Sequence, residues 1–319
     1  MLNQSDLYLG ASAAWVKAKG EIDPLAASDL PLVLLGPTGC GKSVMAGHIH
    51  HRSKRTGGLV EHTLGSVPDG LSYSAFLGHT RGAYTGAVER HVGVLESAKG
   101  GTLFLDEMGS ATPEIQRLLL GLLEGRPFTP LGASRPVTVD VRFLFATNAE
   151  PELLVAEGKW HADFYYRLGG NFIRLPGLAE RRVDILPLAD LFLLRRLRAM
   201  NKPWRPRLSH EVAELFLRHP WPGNIRQLQS VCDRAGALMQ TDRLVEAYDL
   251  TPEFLRELSP AAHGPAPDPM VSRAHEMLRR HHGNKAAAAR ELGIHRTEFY
   301  RLLERQPRHT PSGGYARPA

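Results

Sequence analysis

Uninterrupted apolar runs, each followed by glycine or polar residues, mark the first half of the chain. Leu32–Leu35 is one run, residues 103–105 form a second, and the stretch VDVRFLFATN, which ends in Thr147 and Asn148, contains a third. Such runs are typical of strands that are buried on both faces of a parallel sheet. Helical patterns such as TPEIQRLLLGLLEG lie between them, so the sequence predicts an α/β fold, a parallel sheet with helices on both faces.

The pattern changes after Pro176. From residue 180 to about residue 258 the apolar residues recur at helical spacing without strand-like runs, which predicts an all-α subdomain. A proline- and alanine-rich stretch follows and has the composition of a linker. We therefore divide the chain into an α/β subdomain (1–179), an all-α subdomain (180–258), a linker (259–270), a C-terminal domain (271–306) and a tail (307–319) whose composition is typical of disorder.

The C-terminal domain has the pattern of two helices joined by a turn. Residues 286–292 are strong helix formers, Gly293 ends that helix, and a second amphipathic helix runs from about residue 296 to residue 304. This is the helix-turn-helix pattern, in which the second helix enters a DNA major groove, although basic helical hairpins also occur as packing units alone. Ile294, Phe299 and Leu302 are expected in its core. The candidates for base or phosphate contact are Arg296, Thr297, Glu298 and Arg301.

Charge separates the C-terminal end from the rest of the chain. The 319 residues carry a formal net charge of +6, and ten Lys or Arg against four Glu from residue 271 onwards account for all of it. A basic end is typical of a chain that binds the DNA backbone, and a solvated tail would look the same on charge alone. Two cysteines are too few for a disulfide framework, no run is long enough to span a membrane, and the start lacks the pattern of a secretory signal, so we expect a cytoplasmic location.

A phosphate-binding loop follows the first apolar run. Residues 36–43 fit the pattern G-x-x-x-x-G-K-S, with a predicted strand before them and a predicted helix after them. In such a loop backbone N–H groups surround phosphates, Lys42 supplies a positive charge and the Ser43 hydroxyl holds Mg²⁺, so ATP and Mg²⁺ are the expected ligands. The predicted nucleotide contacts in the loop are Gly36, Pro37, Thr38, Gly39, Cys40, Gly41, Lys42 and Ser43.

An acidic pair follows the second apolar run. Asp106 and Glu107 lie at the carboxyl end of this predicted strand, where ligands of open α/β sheets gather. Asp106 would help to hold Mg²⁺, and Glu107 would orient and deprotonate an attacking water. Thr147 and Asn148, after the third run, are suited to sensing a γ-phosphate or positioning that water. Without a phosphate loop the acids would be an ordinary surface pair, but with one the pattern favours hydrolysis.

A glycine-bracketed loop, GHTRGAYTGAVERH, lies between the first two of these motifs. Gly82 and Gly86 enclose Ala83, Tyr84 and Thr85, with Ala87 after them, which predicts a tight loop with an exposed aromatic at its tip. The alternative is a hairpin in which Tyr84 folds back into the core.

The motifs, in this order and spacing, resemble those of the AAA+ ATPase activators of sigma-54 RNA polymerase, the bacterial enhancer-binding proteins. GAYTGA is similar to the loop by which these rings grip sigma-54, and GGTLFLDEMG, FYYRL and WPGNIRQLQ are similar to further family motifs. The resemblance covers nearly the whole chain. It implies that residues 82–87 contact sigma-54, that residues 180–258 form a helical lid, and that the C-terminal domain is of the Fis type.

The resemblance also assigns roles to two arginines. Arg167 matches an arginine that reaches the nucleotide of the neighbouring subunit, and Arg226 matches the sensor arginine of the lid, which contacts nucleotide in its own subunit. A surface ion pair is the alternative for either residue. The sequence departs from the family pattern at His161, where a second trans arginine is usual, and at Thr63, where an asparagine normally restrains the catalytic glutamate.

These observations lead to one functional hypothesis, an ATP-hydrolysing activator. It would bind upstream double-stranded DNA, assemble into a ring, a hexamer in the family, and move the Tyr84 loop against the sigma-54 holoenzyme to open promoters. One alternative is a nucleotide-gated DNA-binding regulator with a degenerate ATPase, which His161 and Thr63 favour. Another is a AAA+ remodeller of some other protein, which GAYTGA argues against. Because the phosphate loop begins at Gly36, control is expected from a regulatory protein in trans, from expression level or from a domain absent from this chain.

Overall fold

The computed structural model describes residues 10–65, 69–84, 86–239, 241–242, 244–258, 277, 281, 285–294 and 299. The chain divides into two compact units, residues 1–254 and residues 255–319. Along the described ranges, no helix combines the length and the apolar character needed to cross a bilayer.

A five-stranded parallel sheet forms the centre of the first unit. Its strands are β1 (Leu32–Leu35), β2 (Leu59–Thr63), β3 (Thr102–Asp106), β4 (Arg142–Thr147) and β5 (Phe172–Arg174), in the spatial order β2-β3-β4-β1-β5. The three central strands coincide with the apolar runs and are buried almost throughout. Their prediction is confirmed. The edge strands β2 and β5 were not predicted, because β2 is only half-buried and β5 has three residues.

Helices cover both faces of this sheet, as the sequence predicts. In chain order they are α1 (Ala13–Ala26), α2 (Lys42–Arg52), α3 (Asp69–Leu77), α4 (Val94–Ser97), α5 (Pro113–Leu123), α6 (Pro151–Ala156) and α7 (Ala162–Arg167). Successive residues of a strand point to opposite faces. On one face Leu32 and Leu34 pack with α1 and α2, and on the other Val33 and Leu35 share a core with residues of α3 to α7.

Local sequence explains where several helices begin. The Thr112 hydroxyl accepts a hydrogen bond from Ile115 N at the start of α5, and proline occupies the first helical position. Ser12 caps α1 in the same way through Trp15 N. Such caps satisfy N–H groups that the helix itself leaves free, which sets the helix start.

After the sheet, the structure describes helices and one isolated β-bridge, between Leu208 and Val245, up to residue 258, which confirms the all-α prediction for this part of the chain. The α-helices are α8 (Arg182–Ala199), α9 (His210–Arg218), α10 (Asn224–Leu238) and α11 (Pro252–Glu257). Phe216, Trp221 and Phe254 pack ring against ring between them, and the Trp221 indole N–H donates to Phe216 O at 2.8 Å. The lid therefore has a core of its own.

In the second unit the structure describes one further helix, α12 (Lys285–Glu291). It begins and ends one residue before the predicted segment 286–292, and Gly293 follows it with a left-handed φ of 68°. Phe299 is fully buried, as expected. The predicted DNA contacts Arg296, Thr297, Glu298 and Arg301 lie outside the described residues, as do the linker and the tail.

Candidate nucleotide-binding and hydrolysis site

The phosphate loop connects the end of β1 to the start of α2. Gly39 and Gly41 have left-handed φ angles of 77° and 109°. A Cβ atom at Gly39 would lie 2.4 Å from Gly223 O, so a side chain there would clash with the lid backbone. The loop therefore needs glycine at this position for close packing as well as for its turn. The first N–H groups of α2 face this turn, which is the arrangement that binds phosphate at a helix N-terminus.

The Lys42 side chain is held inside the loop. Its ammonium donates to Gly36 O at 2.8 Å and to Pro37 O at 3.3 Å, and the residue is 9% exposed. Cys40 is part of the loop, its side chain is fully buried in the core shared with α1 and α2, and burial raises the pKa of its thiol. The Cys40 thiol therefore stays protonated at neutral pH.

The acidic pair forms one wall of the site. Asp106 is the last residue of β3, and Glu107 follows with a left-handed φ of 58°, which is uncommon for a glutamate. Glu107 N donates to Asp106 Oδ1 at 2.8 Å, so the Asp106 carboxylate stabilises the backbone turn at Glu107. Strained backbone of this kind persists where surrounding structure fixes it, and it is enriched at functional sites.

The two polar residues after β4 have different environments. Thr147 is fully buried, and its hydroxyl accepts a hydrogen bond from Ala149 N at 3.1 Å. Asn148 lines the cleft. Parallel pairing places Thr147 beside Leu35, and Gly36 N donates to Thr147 O at 3.2 Å, so the end of β4 adjoins the phosphate loop. Of the two candidates for sensing phosphate, Asn148 is the one on the cleft.

One cleft of about 210 Å³ brings most of the predicted residues together. It is lined by Thr38, Gly39, Gly41, Lys42, Ser43, Val44, Asp106, Glu107, Asn148, Ile225, Arg226 and Gln229. Gly36, Pro37 and Cys40, which are also predicted from the sequence as nucleotide contacts, do not line the cleft. The carbonyl groups of Gly36 and Pro37 accept hydrogen bonds from the Lys42 ammonium, and the Cys40 side chain is buried. Three residues that line the cleft were not predicted from the sequence: Val44, Ile225 and Gln229. Val44 follows Ser43 in α2, and Ile225 and Gln229 lie one helical turn apart beside Arg226, a spacing by which they could have been found.

The donors in the cleft suit a magnesium–nucleoside triphosphate. A hydroxyl (Ser43), a carboxylate (Asp106) and a cation (Lys42) line the same space. No group of three or more His, Cys, Asp or Glu among the residues that the structure describes is arranged to hold a metal ion. Magnesium is usually bound by one or two carboxylates together with substrate phosphates, so the sparse protein ligands fit that ion.

Arg167 and His161 lie outside this cleft, on the surface around α7. Arg167 is exposed and its Nη2 donates to Leu123 O at 2.8 Å, at the end of α5. His161 precedes α7 with an exposed side chain, while its backbone N–H donates to Gln116 Oε1 at 2.8 Å. Within the described residues neither Arg167 nor Arg226 forms an ion pair, so the surface-pair alternative gains no support.

Thr63 ends β2 directly beside Asp106. The two residues are partners in the β2–β3 register, and Leu64 N donates to Asp106 O at 3.0 Å. The position that the resemblance assigns to a restraining asparagine is therefore adjacent to the acidic pair.

The glycine-bracketed loop is a compact turn. Gly82 N donates to Ala87 O at 2.8 Å, and Ala87 N donates to Tyr84 O at 3.0 Å. Tyr84 is 40% exposed, and its ring meets the His79 ring edge to face with 5.1 Å between centroids. Tyr84 is thus on the surface rather than in the core, resting on a neighbouring histidine. Thr85 lies outside the described residues.

Comparison with models of protein families shows to which family the chain belongs. Residues 8–174, more than half of the chain, match the sigma-54 interaction domain. The chain belongs to the sigma-54-dependent transcriptional activators. Residues 179–266 match the AAA+ ATPase lid domain, and residues 275–305 match the Fis family of bacterial regulatory proteins. The AAA+ fold with a helical lid and a Fis-type helix-turn-helix, expected from the sequence, is confirmed.

Individual proteins are similar to this chain over much of its length. The chain is 36% identical over 236 residues to the Psp operon transcriptional activator of Escherichia coli (strain K12), covering 74% of this chain and 73% of that protein. It is 34% identical over 291 residues to the nitrogen fixation protein AnfA of Azotobacter vinelandii, covering 89% of this chain and 54% of AnfA. It is 35% identical to the transcriptional regulatory protein GlrR of E. coli K12, covering 88% of this chain and 64% of GlrR. The chain thus spans between about half and three quarters of these relatives.

Solved structures agree with the fold. NtrX from Brucella abortus in complex with ADP superposes with a TM-score of 0.71 at 28% identity, covering 93% of this chain and 68% of NtrX. The complex of NtrX with ATP gives a TM-score of 0.70 at 28% identity, covering 92% and 68%. NtrX, whose fold is similar to that of this chain, therefore binds ADP and ATP.

Proposed function

We propose that the chain hydrolyses ATP and uses the energy to activate transcription by sigma-54 RNA polymerase holoenzyme. The observation that carries the proposal is that six predicted site residues line the same cleft: Lys42, Ser43, Asp106, Glu107, Asn148 and Arg226. Membership of the activator family and the nucleotide complexes of NtrX support the same reaction.

Each cleft residue has a part in an in-line attack of water on the γ-phosphate. The Glu107 carboxylate accepts a proton from the water as the new P–O bond forms and the bond to the bridging oxygen breaks. Lys42 neutralises charge on the terminal phosphates, and Asn148 orients the water. Arg226 contacts the phosphates from the lid. Magnesium, held by Ser43 and Asp106, would supply further charge neutralisation.

A ring of subunits would complete the site. Arg167 and His161 are exposed away from the chain's own cleft, which supports their reaching a neighbour's nucleotide. A guanidinium delivered in trans stabilises charge on the transferred phosphoryl group. Assembly into a closed ring, with six subunits as the family resemblance implies, gives every site such a neighbour.

The Tyr84 loop is the proposed contact with sigma-54. The 40% exposure of Tyr84 and the left-handed glycines on either side support a pliant loop that presents an aromatic ring. Pull-down of sigma-54 with a nucleotide transition-state mimic tests this contact. Thr85→Ala and Tyr84→Ala should lose binding and Tyr84→Phe should retain it, and equal binding by all variants would refute the grip.

The C-terminal domain would bind upstream double-stranded DNA. The Fis-family match and the basic charge support this, with Arg296, Thr297, Glu298 and Arg301 as contacts. A chain that acts on DNA and polymerase would work in the cytoplasm, and a regulatory protein in trans remains our proposal for its control.

Steady-state ATP hydrolysis measured against protein concentration tests the enzyme and the ring together. We expect specific activity to rise with concentration, because the site is shared between subunits. Glu107→Gln and Arg167→Ala should each lose at least about a hundredfold in rate, the scale of losing a proton acceptor or an arginine finger. His161→Arg should raise the rate.

A second candidate function is a nucleotide-gated DNA-binding regulator with a weak ATPase. The specific observations in its favour are His161 and Thr63, which replace an arginine and an asparagine of the family pattern. If no Glu107-dependent hydrolysis occurs at any concentration and His161→Arg does not restore it, the motor is refuted and this candidate stands.

A further inference from the structure

Asn224, the first residue of α10, lies between the phosphate loop and the segment that joins β5 to α8, residues 175–181, which we call the lid connection. It is 5% exposed and has a left-handed φ of 51°. Its Nδ2 donates to Thr38 O in the phosphate loop at 2.9 Å, and its Oδ1 accepts from Leu178 N, after the last strand, at 2.7 Å. A third, longer bond joins Nδ2 to Pro222 O at 3.4 Å. A side-chain amide carries both a donor and an acceptor, so it can donate to Thr38 O and accept from Leu178 N at the same time.

Backbone contacts reinforce this junction. Ile225 N donates to Gly39 O at 3.0 Å, and Gly223 O lies so close to Gly39 that no Cβ atom fits there. A Cβ atom at Gly177 would lie 3.0 Å from the Asn224 Oδ1. The first turn of α10 therefore packs directly on the phosphate loop and on the start of the lid connection.

Arg226 follows two residues later on the same helix and lines the nucleotide cleft. Neighbouring residues of one helical turn move together, because their backbone is fixed by the same hydrogen bonds. The position of the Arg226 side chain therefore depends on how the start of α10 is attached to the phosphate loop.

We infer that Asn224 is a positioning residue that couples the lid to the phosphate loop and thereby sets Arg226 against the nucleotide. Because the Asn224 amide is bonded to both Thr38 O and Leu178 N, a movement of the phosphate loop at Thr38 also moves Leu178 and the start of α10. The lid therefore moves with the phosphate loop. This inference rests on the proposed nucleotide site, and it assigns to Asn224 a role separate from contact with the nucleotide.

The test is a double-mutant cycle read by binding of a fluorescent ADP in the presence of Mg²⁺, which requires no hydrolysis. Asn224→Gly removes all three side-chain bonds and tolerates the left-handed backbone. We expect its Kd to rise about tenfold, the scale of one buried hydrogen bond. In an Arg226→Ala background the same change should alter Kd less than about twofold, since the residue through which it acts is gone.

Two further variants control for folding. Gln227 Oε1 accepts a hydrogen bond from Gly223 N at 3.0 Å within the lid, and Gln227→Ala should lower the melting temperature without changing Kd by more than about twofold. Asn224→Asp keeps the acceptor for Leu178 N but loses the donor to Thr38 O. It should therefore still weaken nucleotide binding, with a smaller effect in the Arg226→Ala background, and it replaces Asn224→Gly in the cycle if that variant does not fold.

The outcomes separate the inference from the proposed function. Equal effects of the Asn224 change with and without Arg226, or a Kd within twofold of wild type, would overturn the positioning role alone. A wild-type chain that binds no nucleotide would overturn the proposed function and this inference with it.

Discussion

Asp184 offers the sharpest test of the packing that holds the lid connection. Its side chain is 2% exposed, and Oδ2 accepts from Arg181 Nε at 2.9 Å, while Oδ1 accepts from Ala11 N and Ser12 N at 2.6 and 3.1 Å. The Arg181 guanidinium also lies 3.9 Å above the centre of the Trp15 ring. One carboxylate thus ties the segment before α1 to the start of α8.

Asp184→Asn is the chosen perturbation because it keeps the size of the side chain and removes its charge. Removing one partner of a buried ion pair costs about 3–5 kcal/mol, since the other charge stays buried without its counter-charge. The asparagine retains one acceptor oxygen, so we expect the lower end, about 3 kcal/mol. In a domain of this size that corresponds to a fall of roughly 6–12 °C in melting temperature.

Thermal unfolding followed by circular dichroism measures the effect, with an exposed ion pair as the matched control. Arg174 Nη2 contacts both carboxylate oxygens of Glu150 at 2.8 and 2.6 Å, but the two side chains are 63% and 44% exposed. Exposed pairs contribute about 0–1 kcal/mol, so Glu150→Gln should lower the melting temperature by less than about 4 °C. Equal shifts for Asp184→Asn and Glu150→Gln would refute the argument from burial.

The stability contributed by the Asp184–Arg181 pair depends on pH, and the sign of this dependence follows from the pKa of Asp184. Burial opposes ionisation of Asp184, but hydrogen bonds from Ala11, Arg181 and Ser12 outweigh it and hold the pKa below the ordinary 3.8. A carboxylate with a lowered pKa in the folded chain stabilises it above the unfolded pKa, and this stability is lost as the pH falls through the folded value. The difference in melting temperature between wild type and Asp184→Asn should therefore be constant near neutral pH and shrink below about pH 4.

Three further predictions follow from the site and its surroundings. Gly39→Ala should abolish binding of fluorescent ADP while circular dichroism stays native, because its Cβ would lie 2.4 Å from Gly223 O; tight binding would contradict the loop geometry. Trp160→Phe should lower the free energy of unfolding by about 1–3 kcal/mol, because the indole N–H donates to Met108 O at 2.9 Å inside the core; an unchanged urea midpoint would refute this. Cys40 should react with a thiol reagent only after unfolding, since it is buried and its pKa is raised; labelling of the native chain at the rate of a free thiol would show that the loop opens.

The three central strands of the sheet could be predicted from the sequence, whereas the two edge strands could not. The central strands are buried on both faces, so their apolar runs are strong signals. β2 and β5 carry little apolar pattern, since one is half-exposed and the other is short. Within the site, Ile225 and Gln229 were missed because their place on the cleft depends on how the lid packs rather than on a motif of their own.

The local chemistry of the site can be predicted from short stretches of sequence. A buried strand, a glycine-rich turn and a helix specify the phosphate loop because each part is encoded by adjacent residues, and the acids follow a strand that is equally local. Which of these parts come into contact depends on the tertiary structure. The strand order β2-β3-β4-β1-β5 sets the ends of β3 and β4 beside the loop, and the Asn224 amide reaches Thr38 across 186 residues of sequence. Contacts over such separations depend on the packing of whole elements, which no local pattern encodes.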